Sequence, residues 1–236
     1  MLVAAAVVPS APLLVPEVAG GSAPVDEVLR SRAREVVAAL LTARPERVVV
    51  VGTAPATGPV TGTWDWSGLG VPRAPGRSAG PALPLSLGIG DWLLDDAGWT
   101  GTRAHHGLAR DASPQGCAEL GRSLAAGAVR VALLVCGGGS ACRTEKAPGH
   151  LDPRAEEFDR RAAQALSDAD LTGLRALEPD LAEALLADGR GPWQVLAGAA
   201  QGVSWQAELC HDEAPYGVAY LVAHWRAQAT GRAPAA

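Results

Sequence analysis

Three short aliphatic runs constrain the fold of this chain most, because each is too apolar for a surface loop. They lie at residues 2–8, 48–51 and 131–135. Pro9 and Gly52 follow the first two directly, and Gly137 follows the third after Cys136. Such runs are typical of strands buried on both faces of a sheet. Between the first two, apolar residues recur at helical spacing over residues 25–40, and Pro45 follows. Strand, helix and strand in this order predict a parallel βαβ unit and an α/β fold.

The rest of the chain predicts further helices and strands around one long loop. Residues 53–90 are rich in Gly, Pro, Thr and Ser with little periodicity, which indicates a loop that is either functional or disordered. Later patterns predict a helix from Ser113-Pro114 to Gly127, helices near 152–166, 181–186 and 193–200, and a strand at 203–209. Residues 218–225 fit a strand or a short helix, and we favour a closing strand.

Charge and cysteine content narrow the function classes. The net charge of -5 and the lack of a basic run argue against nucleic acid as a partner. The four cysteines form no CxxC pair, which argues against a zinc knuckle and a secreted disulfide scaffold. No stretch approaches the roughly 20 apolar residues of a membrane-spanning helix. We expect one cytoplasmic, soluble domain over residues 1–236 with no membrane contact and a disordered tail at 230–236.

Three local patterns occur in order along the chain and carry a family resemblance. They are Pro9-Ser10-Ala11-Pro12 after the first run, Gly137-Gly138-Gly139-Ser140-Ala141 after the third, and Glu157-Phe158-Asp159 with the later Trp193 and Gly198-Ala199. Together they resemble the LigB-like branch of the class III extradiol ring-cleavage dioxygenase family. The resemblance spans most of the chain. It implies a three-layer α/β/α fold of the phosphorylase/hydrolase kind, with a central mostly parallel or mixed sheet.

The same resemblance implies an iron site whose positions are all changed here. In that family the position of Ser10 holds an iron-binding His, and a second iron-binding His follows the strand equivalent to 48–51, where this chain has Thr53. An acid/base His stands at the position of Ala141, and a metal-binding Glu precedes Trp193, where this chain has Gly189-Arg190-Gly191. Ferrous ring cleavage needs two imidazoles and a carboxylate with open coordination positions. We therefore expect no catalytic residue and no cofactor.

The Gly-rich loop offers a candidate binding site instead. Gly138 and Gly139 let the backbone approach a ligand closely. Ser140, Arg143 and Lys146 follow, and their donors suit a carboxylate or phosphate. A tight turn with surface charges is the alternative, and it stays open. Because the carboxyl ends of parallel strands meet at one edge of a sheet, the predicted ligand-binding set is Ser10, Thr53, Gly138, Gly139, Ser140, Arg143 and Lys146.

An unorthodox metal site is the competing enzyme hypothesis. His105-His106 and Cys210-His211-Asp212-Glu213 carry side chains that bind Fe(II) or another divalent metal. Adjacent side chains of an extended segment point to opposite faces, so for 210–213 we favour a solvated turn before Pro215. The weak alternative ligand set is His105, His106, His211 and Glu213.

Three function hypotheses therefore follow from the sequence. The favoured one is an extradiol dioxygenase-like protein without iron chemistry, whose cleft binds a small molecule or anion. The second is an active metal-dependent dioxygenase with non-standard ligands. The third is a structural or partner-binding subunit, since members of this family assemble from several subunits, and a homo-oligomer is compatible with it.

Overall fold

The computed structural model describes residues 1–21, 23–72 and 80–228. Within them the strands are β1 (Leu2–Val8), β2 (Arg47–Thr53), β3 (Gly58–Val60), β4 (Thr102–Leu108), β5 (Val131–Cys136), β6 (Trp205–Glu213) and β7 (Tyr220–Ala227). The helices are α1 (Pro16–Ala19), α2 (Pro24–Thr42), α3 (Leu85–Asp96), α4 (Pro114–Ala125), α5 (Ala155–Asp168), α6 (Leu171–Arg175), α7 (Pro179–Ala184) and α8 (Arg190–Ala199). None of the helices in these ranges is long and apolar enough to cross a bilayer.

The strands form one seven-stranded mixed sheet in the order β3-β4-β2-β5-β1-β7-β6. The central four, β4, β2, β5 and β1, run parallel to one another. The flanking strands β3, β7 and β6 pair antiparallel with their neighbours. The predicted α/β fold with a mixed central sheet is confirmed.

Helices cover both faces of the sheet, which makes three layers. Along each central strand, successive side chains point alternately to the two faces of the sheet. In β1, Ala4, Ala6 and Val8 pack on the face covered by α2 and α3. Ala5 and Val7 pack on the opposite side, among core residues of α4, α5 and α8. The aliphatic run at residues 2–8 is apolar throughout because both faces of β1 are buried.

The stretch at 53–90 is more structured than the sequence indicates. It contains β3, a turn of 3-10 helix at Ser67–Leu69 and the start of α3, and residues 73–79 lie outside the described ranges. Strand β4 was also not predicted. Its sequence is largely polar, and its burial is intermediate over Arg103–His106, so it lacks the aliphatic signature of its neighbours.

Two further expectations concern the end of the chain. The closing strand at 218–225 is confirmed by β7, whereas the solvated turn expected at 210–213 is wrong, because these residues continue β6. Pairing with β7 extends to Glu213, and this pairing supplies the backbone hydrogen bonds that hold the segment extended. The tail expected at 230–236 lies outside the described residues.

Candidate functional site

The candidate site lies where the four parallel strands end. Ser10 follows β1, Thr53 closes β2, Ala109 follows β4 and Gly137 follows β5. Because these strands are parallel, their carboxyl ends share one edge of the sheet, the usual place for a ligand crevice in α/β proteins. The backbone N–H of Gly137 donates to the carbonyl oxygen of Val8 at 2.9 Å, which ties the Gly-rich loop to the end of β1.

Asp188 is the central side chain of this edge and was not predicted. The hydroxyl of Ser10 donates to one carboxylate oxygen of Asp188, and the N–H of Gly138 donates to the other at 2.6 Å. Burial raises the pKa of Asp188, and the hydrogen bonds from Ser10 and Gly138 and the charge of Arg110 oppose that rise. The only local signal for Asp188 is its place directly before Gly189-Arg190-Gly191.

A cleft opens beside Asp188, and we call it the edge cleft. Its outer part encloses about 560 Å³ and is lined by Thr53, Pro84, Ala109, Arg110, Asp111 and Glu183 among others. Thr53, Ala109, Arg110 and Glu183 also line a narrow inner recess that reaches Asp188 and Arg190. The edge cleft is therefore a polar, charged space, open to solvent at one end and bounded by a part-buried carboxyl and a buried guanidinium at the other.

The side chain of Arg190 fixes the backbone of residues 110–112, which follow β4, through hydrogen bonds. Arg190 is only 3% exposed. It donates to the carbonyl oxygens of Arg110 and Ala112 and, at 3.1 Å, to Oε1 of Gln194. Burial lowers the pKa of Arg190. Since all three of these partners are neutral, they accept hydrogen bonds from three of the five N–H donors of the guanidinium without neutralising its charge.

The Gly-rich loop turns its predicted donors into the protein. The N–H and the hydroxyl of Ser140 donate to the two carboxylate oxygens of Asp159, at 2.7 and 2.6 Å. Burial raises the pKa of Asp159, against the opposing hydrogen bonds from Ser140 and Arg143. The N–H of Gly139 donates to the carbonyl oxygen of Ala219 at 3.0 Å. Ser140 and Gly139 thus stabilise the loop and offer nothing to the cleft.

The two cationic residues of the predicted set also lie away from the edge cleft. Arg143 pairs with Asp159 at 3.3 Å and with Glu156 at 3.6 Å. Lys146 is exposed and lines a separate surface pocket with Pro215 and Tyr216. Of the predicted set, only Thr53 lines the edge cleft. Ser10 and Gly138 are connected to it through their hydrogen bonds to Asp188, and Gly139, Ser140, Arg143 and Lys146 have their contacts elsewhere.

The alternative metal ligands do not converge. His105 and His106 lie on β4 and His211 and Glu213 on β6, and these strands are five positions apart in the sheet, or about 24 Å at the usual strand spacing. Nε2 of His105 lies 3.0 Å from Oδ1 of Asp91, and burial lowers the pKa of both His106 and His211. Across the described ranges, no group of three or more His, Cys, Asp or Glu residues is placed to hold a metal ion.

The edge itself does not fit the ferrous site that the family resemblance implies. Ser10, Thr53 and Asp188 bring two hydroxyls and one carboxylate, and both oxygens of that carboxylate already accept internal hydrogen bonds. Ferrous dioxygenases of this kind need imidazole ligands in addition to the carboxylate. Ala141, which stands where the resemblance implies an acid/base His, is buried and has no proton to transfer.

Comparison with known proteins supports the fold. No family model matches the chain, and no curated protein matches it. Among solved structures it is similar to that of the uncharacterized protein JW3007 from Escherichia coli K12, with a TM-score of 0.56 and 16% sequence identity. The match covers 95% of this chain and 99% of that chain. The likeness therefore extends over nearly the whole length of both chains.

Proposed function

We propose that this chain is a divergent LigB-like class III extradiol dioxygenase that has given up iron chemistry and uses the edge cleft to bind a small molecule. The observation that carries the proposal is the hydrogen-bonded group of Ser10, Asp188 and Gly138 at the shared carboxyl edge of the parallel strands. Polar groups converging on a cleft at this edge are the general mark of a ligand site in α/β folds.

The Ser10–Asp188 hydrogen bond explains how the site is held without a metal. A carboxylate withdrawn from solvent needs partners, because an unpaired buried charge is strongly unfavourable. In this chain the hydroxyl of Ser10 and the N–H of Gly138 supply them. The remaining groups of the cleft, above all Thr53 and the exposed Arg110, are then available to a ligand. The free state of all four cysteines agrees with a cytoplasmic location, which we also propose.

The first test is metal content. We expect untagged protein, reconstituted anaerobically with ferrous ion and desalted, to retain no stoichiometric iron or zinc by mass spectrometry. The matched comparison is the double variant Ser10→His with Thr53→His, which places two imidazoles near Asp188 and should hold more metal than the natural chain. Stoichiometric, tightly held metal in the natural chain would show that the iron chemistry is not lost.

The second test blocks the cleft. Ala109 lines both parts of the cleft and follows β4 at the surface, so Ala109→Trp should fill the space and leave the core unchanged. In a thermal-shift screen of small organic acids, sugars, amines and phenols, we expect ligands that stabilise the natural chain to lose that effect in Ala109→Trp. The exposed Ala126, at the end of α4, provides the control Ala126→Trp. Stabilisation that survives Ala109→Trp unchanged would contradict binding in the edge cleft.

A further inference from the structure

The charged groups of the edge cleft indicate which ligand it takes. Arg110 and Arg190 both line the inner recess. Arg110 is exposed at the mouth, whereas Arg190 is buried below it. Within residues 1–21, 23–72 and 80–228 neither guanidinium forms an ion pair. Asp188 and Glu183 line the same recess, but neither forms a direct ion pair with these guanidinium groups, so the N–H donors of the exposed Arg110 remain available to an anion.

The position of Arg110 is set by Arg190. The guanidinium of Arg190 donates to the carbonyl oxygen of Arg110 itself, and so holds the backbone from which the Arg110 side chain extends. A held backbone lowers the conformational entropy that Arg110 loses on binding. A carboxylate matches the planar fork of a guanidinium and accepts two parallel hydrogen bonds from it.

The acidic residues of the cleft limit the charge of that anion. Asp111 and Glu183 are exposed at the outer part, and Asp188 lies in the inner recess. Each negative side chain disfavours a second negative charge on the ligand, and the effect is greater for a dianion than for a monoanion. A carboxylate therefore suits this cleft better than a phosphate dianion.

We infer that the edge cleft binds small molecules through a single carboxylate group, which Arg110 contacts and the buried charge of Arg190 favours. This inference rests on the proposed function and adds the chemical class of the ligand. Thr53, like Arg110, lines both parts of the cleft, and its hydroxyl is a further donor for the carboxylate.

The test is a titration of the full chain with three probes of similar size, followed by backbone amide chemical shifts. The probes are propionate, its neutral analogue propionamide and inorganic phosphate, all at constant ionic strength. We expect propionate to shift the amides of Thr53, Arg110 and Gly191 saturably, with at least about tenfold higher affinity than either other probe. Equal affinity for propionate and propionamide at these amides would overturn the carboxylate class and leave the cleft as a small-molecule site.

The decisive variant is Arg110→Ala, since this side chain is exposed and its loss should not disturb folding. It is expected to weaken propionate binding at least about tenfold. Arg122 on α4 is a surface arginine away from the cleft, so Arg122→Ala is the matched control and should bind as the natural chain does. Unchanged binding in Arg110→Ala would overturn the inference. Propionate shifts confined to residues outside the edge cleft would count against both this inference and the proposed function.

Discussion

Replacing Gly121 with alanine is expected to destabilise the protein by about 3 kcal/mol, because a single methyl group has no space between α4 and α8. A Cβ atom on Gly121 would lie 2.0 Å from the carbonyl oxygen of Val195 and 2.7 Å from the backbone nitrogen of Ala199. On the facing helix, a Cβ atom on Gly198 would lie 2.1 Å from the carbonyl oxygen of Ala118. Backbone atoms cannot move aside as a flexible side chain can, so the helices must separate.

Separation of α4 and α8 should also disturb the edge cleft, because α8 begins at Arg190, which lines the inner recess. Urea unfolding with an unchanged m-value measures the loss. Gly191→Ala is the matched control in α8, since its Cβ would make ordinary contacts of 3.8 and 3.9 Å with Leu108 and Cys117. That variant should be neutral or gain up to about 1 kcal/mol from helix propensity. A Gly121→Ala protein as stable as the natural chain would show that these helices are not locked by their glycines.

Removing the Asp159 carboxylate is expected to cost about 3 kcal/mol, since it leaves the buried donors of the Gly-rich loop without an acceptor. Asp159 is 1% exposed and accepts hydrogen bonds from both the N–H and the hydroxyl of Ser140. Asp159→Ala should also disturb the backbone from Gly138 to Ser140. Ser140→Ala removes only one of these bonds and should cost about 1 kcal/mol.

The two effects should not add, because the residues share one network. In the double variant, the loss should therefore be smaller than the sum of the single losses. Glu156 is the control, since it lies on the same helix, is 80% exposed and contacts Arg143 at 3.6 Å. An exposed pair of this kind contributes little, so Glu156→Ala should change stability by well under about 1 kcal/mol. Equal losses in Asp159→Ala and Glu156→Ala would argue against a structural role for the Ser140–Asp159 pair.

The local sequence pattern predicted correctly those strands that are buried on both faces and the helix α4, which begins with a capping residue. The runs at 2–8, 48–51 and 131–135 became β1, β2 and β5, and the Ser113-Pro114 pair starts α4, with the hydroxyl of Ser113 accepting from the N–H of Gly116 at 3.1 Å. Helix α3 was missed because Gly88 and Gly90 make it resemble a loop. The glycines serve packing, since a Cβ on Gly90 would lie 2.5 Å from Cγ1 of Val50 and one on Gly88 would lie 3.3 Å from the ring of Trp66.

The sequence by itself determined the strand and helix pattern of the core and the presence of Ser10, Thr53 and Ala141, rather than histidines, after the three aliphatic runs, because both are properties of short segments. Only the tertiary structure decided that Ser10 meets Asp188, which is 178 residues away. It also decided that Ser140 turns to Asp159 and that β4 and β6 carry their histidines on distant parts of the sheet. The physical reason is that such pairings depend on strand order and on which loop covers which strand end. Hydrophobic periodicity along the chain indicates neither the strand order nor the loop that covers a given strand end.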